Sequence, residues 1–542
     1  MDSQRRIFLA SAARLAALTA TAGSLAGSGA SAATRLNGAG YPFALGVASG
    51  SPLPDAVVLW TRINYDPLQA GATPAIALSV RWEVADDEGF RRIVAKGQAV
   101  ATPELAHSVH VDVTGLAPGR WYWYRFIFGD AISPVGRTRT APAPSSMPAS
   151  LKLAVASCQH WEFGSYAAHR HIAAAAPDLI AFLGDYIYEW GAYQLQHPQR
   201  AVRRDESFTL EQYRARYAQY KSDADLQGAH LVAPWIVTWD DHEVANDYGN
   251  ERDELLTTTF LQRRAAAYQA FYEHMPLRLL PLGRRGFVDM RIYQRYDWGR
   301  LARFHVLDDR QYRANHACPK PNRGGSNSVT TRNCPDLMKP DRTMLGSAQE
   351  RWLQEGLEKS PARWNILAQQ TLMAQSSQVP ITRPGDERIW TDGWDGYPMA
   401  RQQLLDTLQA SGARNPLVLS GDVHTFYATE LSRDAMRPVS RANPLLATEF
   451  CGTSITSSSR PQSRTDDYVA MNPHIRYGRS DKRGYMLMEL TPTKPPPASR
   501  AWTMCATARP ASPRWPVLPS GTARPACRKA DQAIETCFSA SR

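Results

Sequence analysis

The sequence lacks the patterns that mark several large classes of protein. Its 542 residues contain no run of about 18 uninterrupted apolar residues, so no segment has the pattern of a transmembrane helix. No Walker A loop, Rossmann glycine fingerprint or His-Glu-x-x-His motif is present, and no serine has a convincing partnered base. The chain is nevertheless 43% apolar and 10% aromatic, which excludes wholesale disorder.

A basic stripe that would bind nucleic acid is also missing from most of the chain. The formal net charge is +11, from 62 Lys and Arg against 51 Asp and Glu. Residues 1–33 hold three basic residues against one acidic residue, and residues 494–542 hold eight against two, which leaves +3 on residues 34–493. The charges of this middle part are interspersed as on a solvated surface, so we expect no specific nucleic-acid binding.

Residues 1–33 have the composition of an export signal. Arg5-Arg6 begins a twin-arginine signature, a weakly apolar stretch covers 15–25, and Ala30-Ser31-Ala32 is a typical cleavage motif. A short amphipathic helix, the alternative, does not explain all three features. We therefore predict export by the twin-arginine machinery to the periplasm or the outside of the cell, and we expect a monomer without a membrane span.

Seven cysteines are an odd number for an exported chain. Cys318 and Cys334 flank a loop rich in Pro, Asn, Gly and Ser, and an oxidising compartment would favour a disulfide between them. Cys158 and Cys451 lie in apolar surroundings and need another explanation, and Cys451 has the pattern of a packed thiol. The other three cysteines lie in the tail after residue 494.

Residues 40–142 are predicted to form a small β-sandwich domain of the fibronectin type III kind. Residues 78–84 and 108–113 alternate apolar and polar side chains, and an aromatic strand is predicted at 121–126 after a Pro-Gly turn. A linker rich in proline follows this domain.

An α/β domain is predicted over residues 150–491. Short, mostly apolar runs have the pattern of buried central strands, and helix-like stretches lie between them. The apolar runs are 151–156, 179–183, 235–239 and 417–420, and the helix-like stretches include 165–175, 207–220 and 257–274.

Each of the four apolar strands ends in residues that can bind a metal. In chain order the strand ends supply Cys158, then Asp185 and Tyr188, then Asp240, Asp241, His242 and Glu243, and finally Asp422 and His424. Buried carboxylates are costly unless they are paired or bind a metal. A single Gly-Asp after a strand is usually a turn, but four such ends in order predict a metal centre at one edge of a sheet.

The order of these motifs resembles that of the calcineurin-like metallophosphoesterases. The variants Ser157-Cys158-Gln159, Asp240-Asp241-His242-Glu243 and Gly421-Asp422-Val423-His424 resemble the PhoD branch of the alkaline phosphatases. Residues 43–50 and 307–313 resemble further motifs of that family, and the resemblance covers about 40–491. It implies a four-layer αββα metallophosphoesterase sandwich, preceded by the small β-sandwich, that hydrolyses phosphate esters.

The resemblance also implies ferric iron and calcium as cofactors. The Cys158 thiolate and the Tyr188 phenolate suit Fe³⁺, and Asp185 would bridge the metals. Asp241 and Asp422 stand where the wider superfamily has Asn and His, and oxygen ligands favour Ca²⁺. His424 would remain a metal ligand, and whether Asp240 or Asp241 binds metal stays open.

The implied reaction is in-line attack on the phosphate ester by a metal-activated water. His242 is predicted to be a general acid or to stabilise charge. Arg310 is either a clamp for phosphate oxygens or the partner of Asp308 or Asp309 in a structural ion pair. Hydrolysis of diesters, of the phosphodiesterase or phospholipase D type, is an alternative on the same site. A catalytically dead cell-surface binding protein is a second alternative, which the intact set of ligands opposes.

Residues 494–542 depart from the family pattern. They are rich in Pro, Ala and Arg and show no periodicity, which is typical of a disordered extension. Read in a neighbouring frame, the codons for 501–507 allow Val-Asp-Asp-Val-Arg-Asp, which resembles the usual end of the family. Our hypothesis is that a frameshift near residue 494 replaced the native C-terminus.

Overall fold

The computed structural model describes residues 40–66, 73–191, 205–278, 286–493 and, as backbone, 502–507. The predicted export signal and most of the tail lie outside the described residues. The seven helices of the described part are α1 (Ala167–Ala175), α2 (Leu210–Lys221), α3 (Ala224–Val232), α4 (Phe260–His274), α5 (Gly346–Glu358), α6 (Pro398–Ser411) and α7 (Gln462–Met471). Short 3-10 helices lie at Pro103–Leu105, Trp161–Phe163, Phe287–Asp289, Pro335–Met338 and Trp394–Gly396.

The strands divide at the proline-rich linker. Before it lie β1 (Val47–Gly50), β2 (Ala56–Arg62), β3 (Leu78–Ala85), β4 (Ile93–Ala101), β5 (Ser108–Thr114), β6 (Trp121–Phe128), β7 (Ala131–Ile132) and β8 (Gly136–Arg139). After it lie β9 (Leu151–Ala156), β10 (Leu179–Phe182), β11 (Trp235–Val237), β12 (Gln294–Trp298), β13 (Ala302–Val306), β14 (Ser328–Thr330), β15 (Trp364–Ala368), β16 (Arg388–Trp390), β17 (Pro416–Ser420), β18 (Phe426–Leu431), β19 (Ala447–Cys451), β20 (Ile475–Arg479), β21 (Arg483–Leu490) and β22 (Trp502–Thr507).

Two large sheets form the centre of the molecule. One has eight strands in the order β22-β21-β9-β10-β11-β1-β2-β5, and the other has seven in the order β12-β13-β15-β17-β19-β18-β20. The central strands β9, β10 and β11 are parallel, as are β13, β15, β17 and β19. Parallel strands place their carboxyl ends at one edge of a sheet, where the loops that follow them meet.

The apolar side chains of the strands alternate between two cores. In β9, Ala154 and Ala156 pack with side chains of α1, α2 and α4, whereas Leu153 and Val155 pack against Phe304 and other residues of the second sheet. The second sheet repeats this division, and its outer face packs against α5 and α6. Side chains of a strand point alternately to its two faces, so a fully apolar strand must be covered on both sides. The predicted four-layer αββα sandwich is confirmed.

The N-terminal strands form a β-sandwich, but one of its two sheets belongs to the catalytic part. Strand β1 pairs in parallel with β11, with Gly50 opposite Trp235, and β2 and β5 continue the same eight-stranded sheet. A five-stranded sheet of β3, β4, β6, β7 and β8 covers it, with Val57, Val80 and Tyr124 in the core between them. The continuous sheet joins the two parts, and the boundary near 142–150 stays a prediction.

The predicted disulfide between Cys318 and Cys334 is present, and Cys158 and Cys451 are both free and buried. The disulfide joins two cysteines 16 positions apart in the segment that follows β13. Within the described ranges, no helix is both long and apolar enough to cross a membrane.

Candidate metal centre

The ends of the four predicted strands meet, but two sheets supply them. Cys158, Asp185 and Asp241 follow β9, β10 and β11 of the eight-stranded sheet, whereas Asp422 and His424 follow β17 of the seven-stranded sheet. The prediction of a site at one sheet edge was therefore wrong. The carboxyl ends of the two sheets lie together, so the candidate ligands line the gap between them.

The backbone at these strand ends is unusual. Cys158, Asp185, Asp422 and His424 all adopt left-handed conformations, with φ values of 61°, 56°, 63° and 54°. Non-glycine residues rarely do this, and each costs roughly 1–3 kcal/mol unless the surroundings hold it. Such sharp turns at the ends of strands aim the side chains into the gap.

Two glycines allow the loops to approach each other. A Cβ on Gly184, whose φ is 105°, would lie 2.4 Å from the Cβ of Asp240, and a Cβ on Gly421 would lie 2.3 Å from the Ser157 hydroxyl oxygen. Gly184 before Asp185 and Gly421 before Asp422 are thus places where only glycine fits next to a candidate ligand.

Four residues form what we call the thiolate cluster: Cys158, Asp185, Tyr188 and His424. One ligand atom each of Cys158, Asp185 and His424 lies within 4.8 Å of the others. The Tyr188 hydroxyl donates to Asp185 Oδ2 at 2.9 Å and lies 3.2 Å from His424 Nε2. Apart from His424 these side chains are almost completely buried, so water cannot stabilise their anionic forms.

Burial and neighbouring charge oppose ionisation in most of the thiolate cluster. Burial raises the pKa of the Cys158 thiol well above its usual value, and the nearby Asp185 carboxylate raises it further. The pKa of Tyr188 is raised well above its usual value for the same two reasons. Burial also raises the pKa of Asp185, but His242 and His424 outweigh that effect and lower it to about 2. A bound cation would offset the negative charge of a thiolate and a phenolate at these positions.

Five aspartates form what we call the carboxylate cluster: Asp240, Asp241, Asp247, Asp392 and Asp422. Oxygens of Asp240, Asp241 and Asp422 lie within 4.8 Å of one another, and so do oxygens of Asp241, Asp247 and Asp392. Asp241 belongs to both groups. It also joins Asp185 and His242 in a third group of the same size, which links the two clusters.

Several carboxylate oxygens at the site have no hydrogen-bond donor. Asp185 Oδ1 and Asp240 Oδ2 are buried and find no partner among the described residues. Burial raises the pKa of Asp422 to about 7, because Arg310 does not fully offset it, and burial also raises the pKa of Asp241. Buried, unpartnered carboxylate oxygens are costly, and hard cations such as Ca²⁺ bind to oxygen ligands. The residues present therefore fit the implied metals.

Arg310 lies beneath the carboxylate cluster and is completely buried. Its Nε donates to Asp240 Oδ1 at 2.5 Å, and its Nη1 donates to Asp392 at 2.8 Å. The ion-pair alternative was therefore wrong about the partners, because the guanidinium pairs with neither Asp308 nor Asp309. Those two carboxylates precede Arg310 in the chain, whereas the true partners come from other loops.

One guanidinium nitrogen of Arg310 remains available. Its Nη2 lies 3.7 Å from Asp241 and 4.0 Å from Asp422, and no described residue accepts a hydrogen bond from it. A donor in this position points into the carboxylate cluster. The clamp hypothesis is therefore compatible with the geometry, since one edge of the guanidinium is held and another is open.

His242 connects the two clusters through its ring. Nδ1 lies 2.8 Å from Glu189 Oε2, and the ring lies over Tyr188 with centroids 4.1 Å apart. Burial lowers the pKa of His242, but the carboxylates of Asp241 and Glu189 outweigh burial and raise the pKa well above its usual value. The two carboxylates thus favour the protonated imidazole, which suits either proposed role.

Glu243 supports the loops from below. Its carboxylate accepts hydrogen bonds from the backbone N–H groups of Asp185 (3.1 Å), Tyr186 (2.5 Å) and Asp240 (2.8 Å). One side chain therefore ties the loop after β10 to the loop after β11.

The sequence interpretation missed two carboxylates of the site. Asp392 follows β16, a short strand without an apolar run, so no strand-end pattern marks it. Glu189 follows Tyr188 directly in the chain and holds His242, and its position in the Gly-Asp-x-x-Tyr-Glu stretch was the available signal. Asp392 is kept ionised, because Arg310 and Arg313 outweigh its burial and hold its pKa well below its usual value.

The two packed sheets, with candidate metal ligands at their shared carboxyl end, define an α/β metallophosphoesterase fold. The family described as PhoD-like phosphatase matches residues 153–495, and the family described as its N-terminal domain matches residues 29–142. The chain therefore belongs to the PhoD-like phosphatase family and is a phosphoester hydrolase.

Individual relatives agree with this family. The chain is 45% identical over 467 residues to alkaline phosphatase D of Bacillus subtilis (strain 168). This alignment covers 84% of this chain and 77% of the relative. A solved structure of PhoD is similar with a TM-score of 0.78 and 43% identity, covering 86% of each chain. The resemblance proposed from the strand-end motifs is thus confirmed.

Proposed function

We propose that this chain is an exported alkaline phosphatase that binds Fe³⁺ at the thiolate cluster and Ca²⁺ at the carboxylate cluster. The observation that carries this proposal is that the two candidate ligand sets differ in chemistry and lie next to each other. Asp185 of one set and Asp241 of the other belong to a common group of potential ligands. Thiolate, phenolate and imidazole suit a transition metal, whereas carboxylate oxygens suit calcium. Asp241 is our choice for the metal ligand, because Arg310 already holds one oxygen of Asp240.

The bound metals would supply a water of lowered pKa and would offset the charge of the phosphoryl group. The chain itself contributes two cations at the same place. Arg310 Nη2 is placed to donate to a phosphoryl oxygen, because its other nitrogens are held by Asp240 and Asp392. His242, kept protonated by Glu189 and Asp241, is placed to stabilise the developing charge or to protonate the leaving oxygen.

Export and the division of the chain are part of the same proposal. The disulfide between Cys318 and Cys334 supports an oxidising compartment, because cytosolic thiols are normally kept reduced. We assign residues 1–33 to a twin-arginine signal, 40–142 to the N-terminal domain, 150–491 to the catalytic domain and 494–542 to the tail. The ranges matched by the two families support the middle boundary.

The test of the function combines metal analysis with two substrates. The purified protein is assayed on p-nitrophenyl phosphate and on bis(p-nitrophenyl) phosphate, before and after chelation and after addition of iron, calcium or both. We expect iron and calcium in the active protein, loss of activity on chelation, and recovery only when both metals return. Full activity after complete removal of both metals would contradict the proposal. A higher kcat/KM for the diester would support the phosphodiesterase alternative instead.

The tail hypothesis has its own test. Strand β22, at Trp502–Thr507, pairs antiparallel with β21 at the edge of the eight-stranded sheet, which is where the alternative frame would place an Asp-Val-Arg edge strand. Resequencing the gene is expected to reveal a single-nucleotide error near the codon for residue 494. The unchanged reading frame in both genomic and transcript reads would refute the frameshift.

A further inference from the structure

A cavity of about 380 Å³ adjoins the carboxylate cluster at Asp422. Trp390, Tyr468 and Arg460 also line it. Trp390 is 44% exposed, which is unusual for so large an apolar side chain. Since Asp422 belongs to both the cavity and the cluster, a phosphoester held at the metal centre can extend its leaving group into this space.

Arg460 is the one basic side chain of the described part of the chain that lines this cavity. It is half-buried, and among the described residues it forms neither an ion pair nor a hydrogen bond. Its guanidinium carbon lies 4.7 Å from the centroid of the Tyr468 ring. It also lines a second cavity of about 420 Å³ on its other side, so the guanidinium borders open space.

The two acidic side chains that line the cavity already have hydrogen-bond partners. Asp395 is paired with Arg401 at 2.6 Å and also accepts a hydrogen bond from the backbone of Ser376. Asp422 accepts a hydrogen bond from the Thr371 hydroxyl at 2.8 Å and faces the carboxylate cluster. An anion in the cavity therefore meets one free cation and two carboxylates that already have partners.

We propose that this cavity binds the leaving group of phosphoesters that carry a second anionic group, and that Arg460 pairs with that group. Trp390 and Tyr468 form the walls against which the connecting part of the leaving group packs. A guanidinium matches a carboxylate or a phosphate in a two-pronged hydrogen bond, so either anion fits. This inference rests on the proposed hydrolytic function and concerns which esters the site prefers.

The kinetic test uses two esters of similar size, one with a negatively charged leaving group and one with a neutral leaving group. 4-Carboxyphenyl phosphate and 4-carbamoylphenyl phosphate are compared with the metal-loaded, full-length protein and with the variants Arg460→Gln and Arg437→Gln. Arg437 is an exposed arginine paired with Asp434, so its loss removes the same charge far from the cavity. We expect kcat/KM of the wild type and of Arg437→Gln to favour the carboxyl ester by about tenfold, and Arg460→Gln to lose this preference.

A binding test separates the inference from the hydrolytic function. Titration calorimetry measures the affinity of 4-carboxybenzylphosphonate, 4-carbamoylbenzylphosphonate and p-xylylenediphosphonate, none of which has a phosphoester bond to hydrolyse. We expect both charged ligands to bind more tightly than the carbamoyl compound, and Arg460→Gln to remove the difference. Preference for only one of them would identify the anion as a carboxylate or a phosphate.

Two results would overturn the inference. The first is equal binding of the charged and neutral phosphonates by the wild type. The second is an equal loss of kcat/KM for both esters in Arg460→Gln, which would place Arg460 at the transferred phosphoryl group. If neither ester is hydrolysed but the phosphonates still show the preference, the proposed hydrolysis fails and the anion site stands.

Discussion

The thiolate cluster and the carboxylate cluster lie side by side, but the protein stabilises them differently. In the thiolate cluster no lysine or arginine of the described residues pairs with Cys158 or Tyr188, and burial raises the pKa of both side chains. In the carboxylate cluster Arg310 is hydrogen-bonded to Asp240 and Asp392. A bound cation would thus favour ionisation of the thiolate cluster, whereas Arg310 already balances part of the negative charge of the carboxylate cluster.

This difference has a consequence for how the two clusters tolerate loss of metal. Without a cation, the thiol and the phenol of the thiolate cluster keep their protons and become neutral. The carboxylate cluster cannot lose all of its negative charge by protonation, because Arg310 and Arg313 hold the pKa of Asp392 well below its usual value. We therefore expect the loss of iron to change the chemistry of its ligands and the loss of calcium to leave charge repulsion.

The largest effect is expected where the two clusters meet. Asp185→Asn removes the carboxylate that stands in a candidate group with Cys158 and His424 and in another with Asp241 and His242. We expect kcat/KM on p-nitrophenyl phosphate to fall by roughly a thousandfold, since both metals lose a charged ligand. Metal analysis should show a deficit of both ions. Wild-type activity in this variant would show that the clusters work without a shared ligand.

Replacing Arg310 should destabilise the carboxylate cluster and leave the thiolate cluster unchanged. Arg310→Met leaves Asp240 and Asp392 buried without their partner, and breaking a buried ion pair typically costs about 3–5 kcal/mol. We expect the free energy of unfolding to fall by that order in calcium-free protein and by less when calcium is bound. Arg437→Gln, at an exposed ion pair, is the control and should leave the stability nearly unchanged. An equal decrease in the free energy of unfolding with and without calcium would contradict the view that Arg310 and a bound cation both balance the charge of the carboxylate cluster.

Two single substitutions should separate the metals. Cys158→Ala is expected to lower the iron affinity by about 10–100-fold and to keep calcium, whereas Asp392→Asn should do the reverse. Elemental analysis of the purified variants measures both ions. Cys451→Ala is the matched control, because Cys451 is also a free buried thiol but belongs to no candidate metal group. Loss of both metals in each variant would show that the clusters form one cooperative site.

The smallest expected effect is a pH dependence of the metal-free protein. The folded-state pKa of Asp422 is raised to about 7, so the stability that its protonated form provides is complete below the unfolded value and is lost as the pH rises through about 7. The Asp422 side chain is 23% exposed, so solvent reduces the expected change in stability. We expect the Tm of the metal-free protein to fall by roughly a few degrees between pH 5 and pH 8.

Calcium should reverse this trend. A cation at the carboxylate cluster replaces the proton on Asp422, so the Tm gain from added calcium should grow between pH 5 and pH 8. Thermal unfolding with and without calcium measures the difference, and Asp422→Asn is expected to flatten the pH profile. A Tm gain that does not change with pH would argue against calcium binding at Asp422.

Much of the fold was predictable because its signals are local. The mostly apolar runs at 151–156 and 179–183 became β9 and β10, since a strand buried on both faces needs apolar side chains at most positions. The disulfide could be predicted as well, because its two cysteines flank one loop. The order of ligands along the chain was sufficient to indicate the family.

The candidate site was predictable only in part. Every residue chosen from the strand ends lies at the site, because each ligand follows a recognisable strand. Asp392 was missed because it follows a short strand with no such pattern, and it joins the site only through Arg310 and the neighbouring loops.

By itself, the sequence determined which segments become strands and helices and which ligands stand at the strand ends, because periodicity and turn residues act over a few positions. Only the tertiary structure decided that β17 lies in a different sheet from β9, β10 and β11, and that β1 extends the catalytic sheet. It also decided the partners of Arg310, which lie 70 and 82 residues away in the chain. Strand pairing and buried ion pairs depend on which distant segments pack together, and no local pattern encodes that choice.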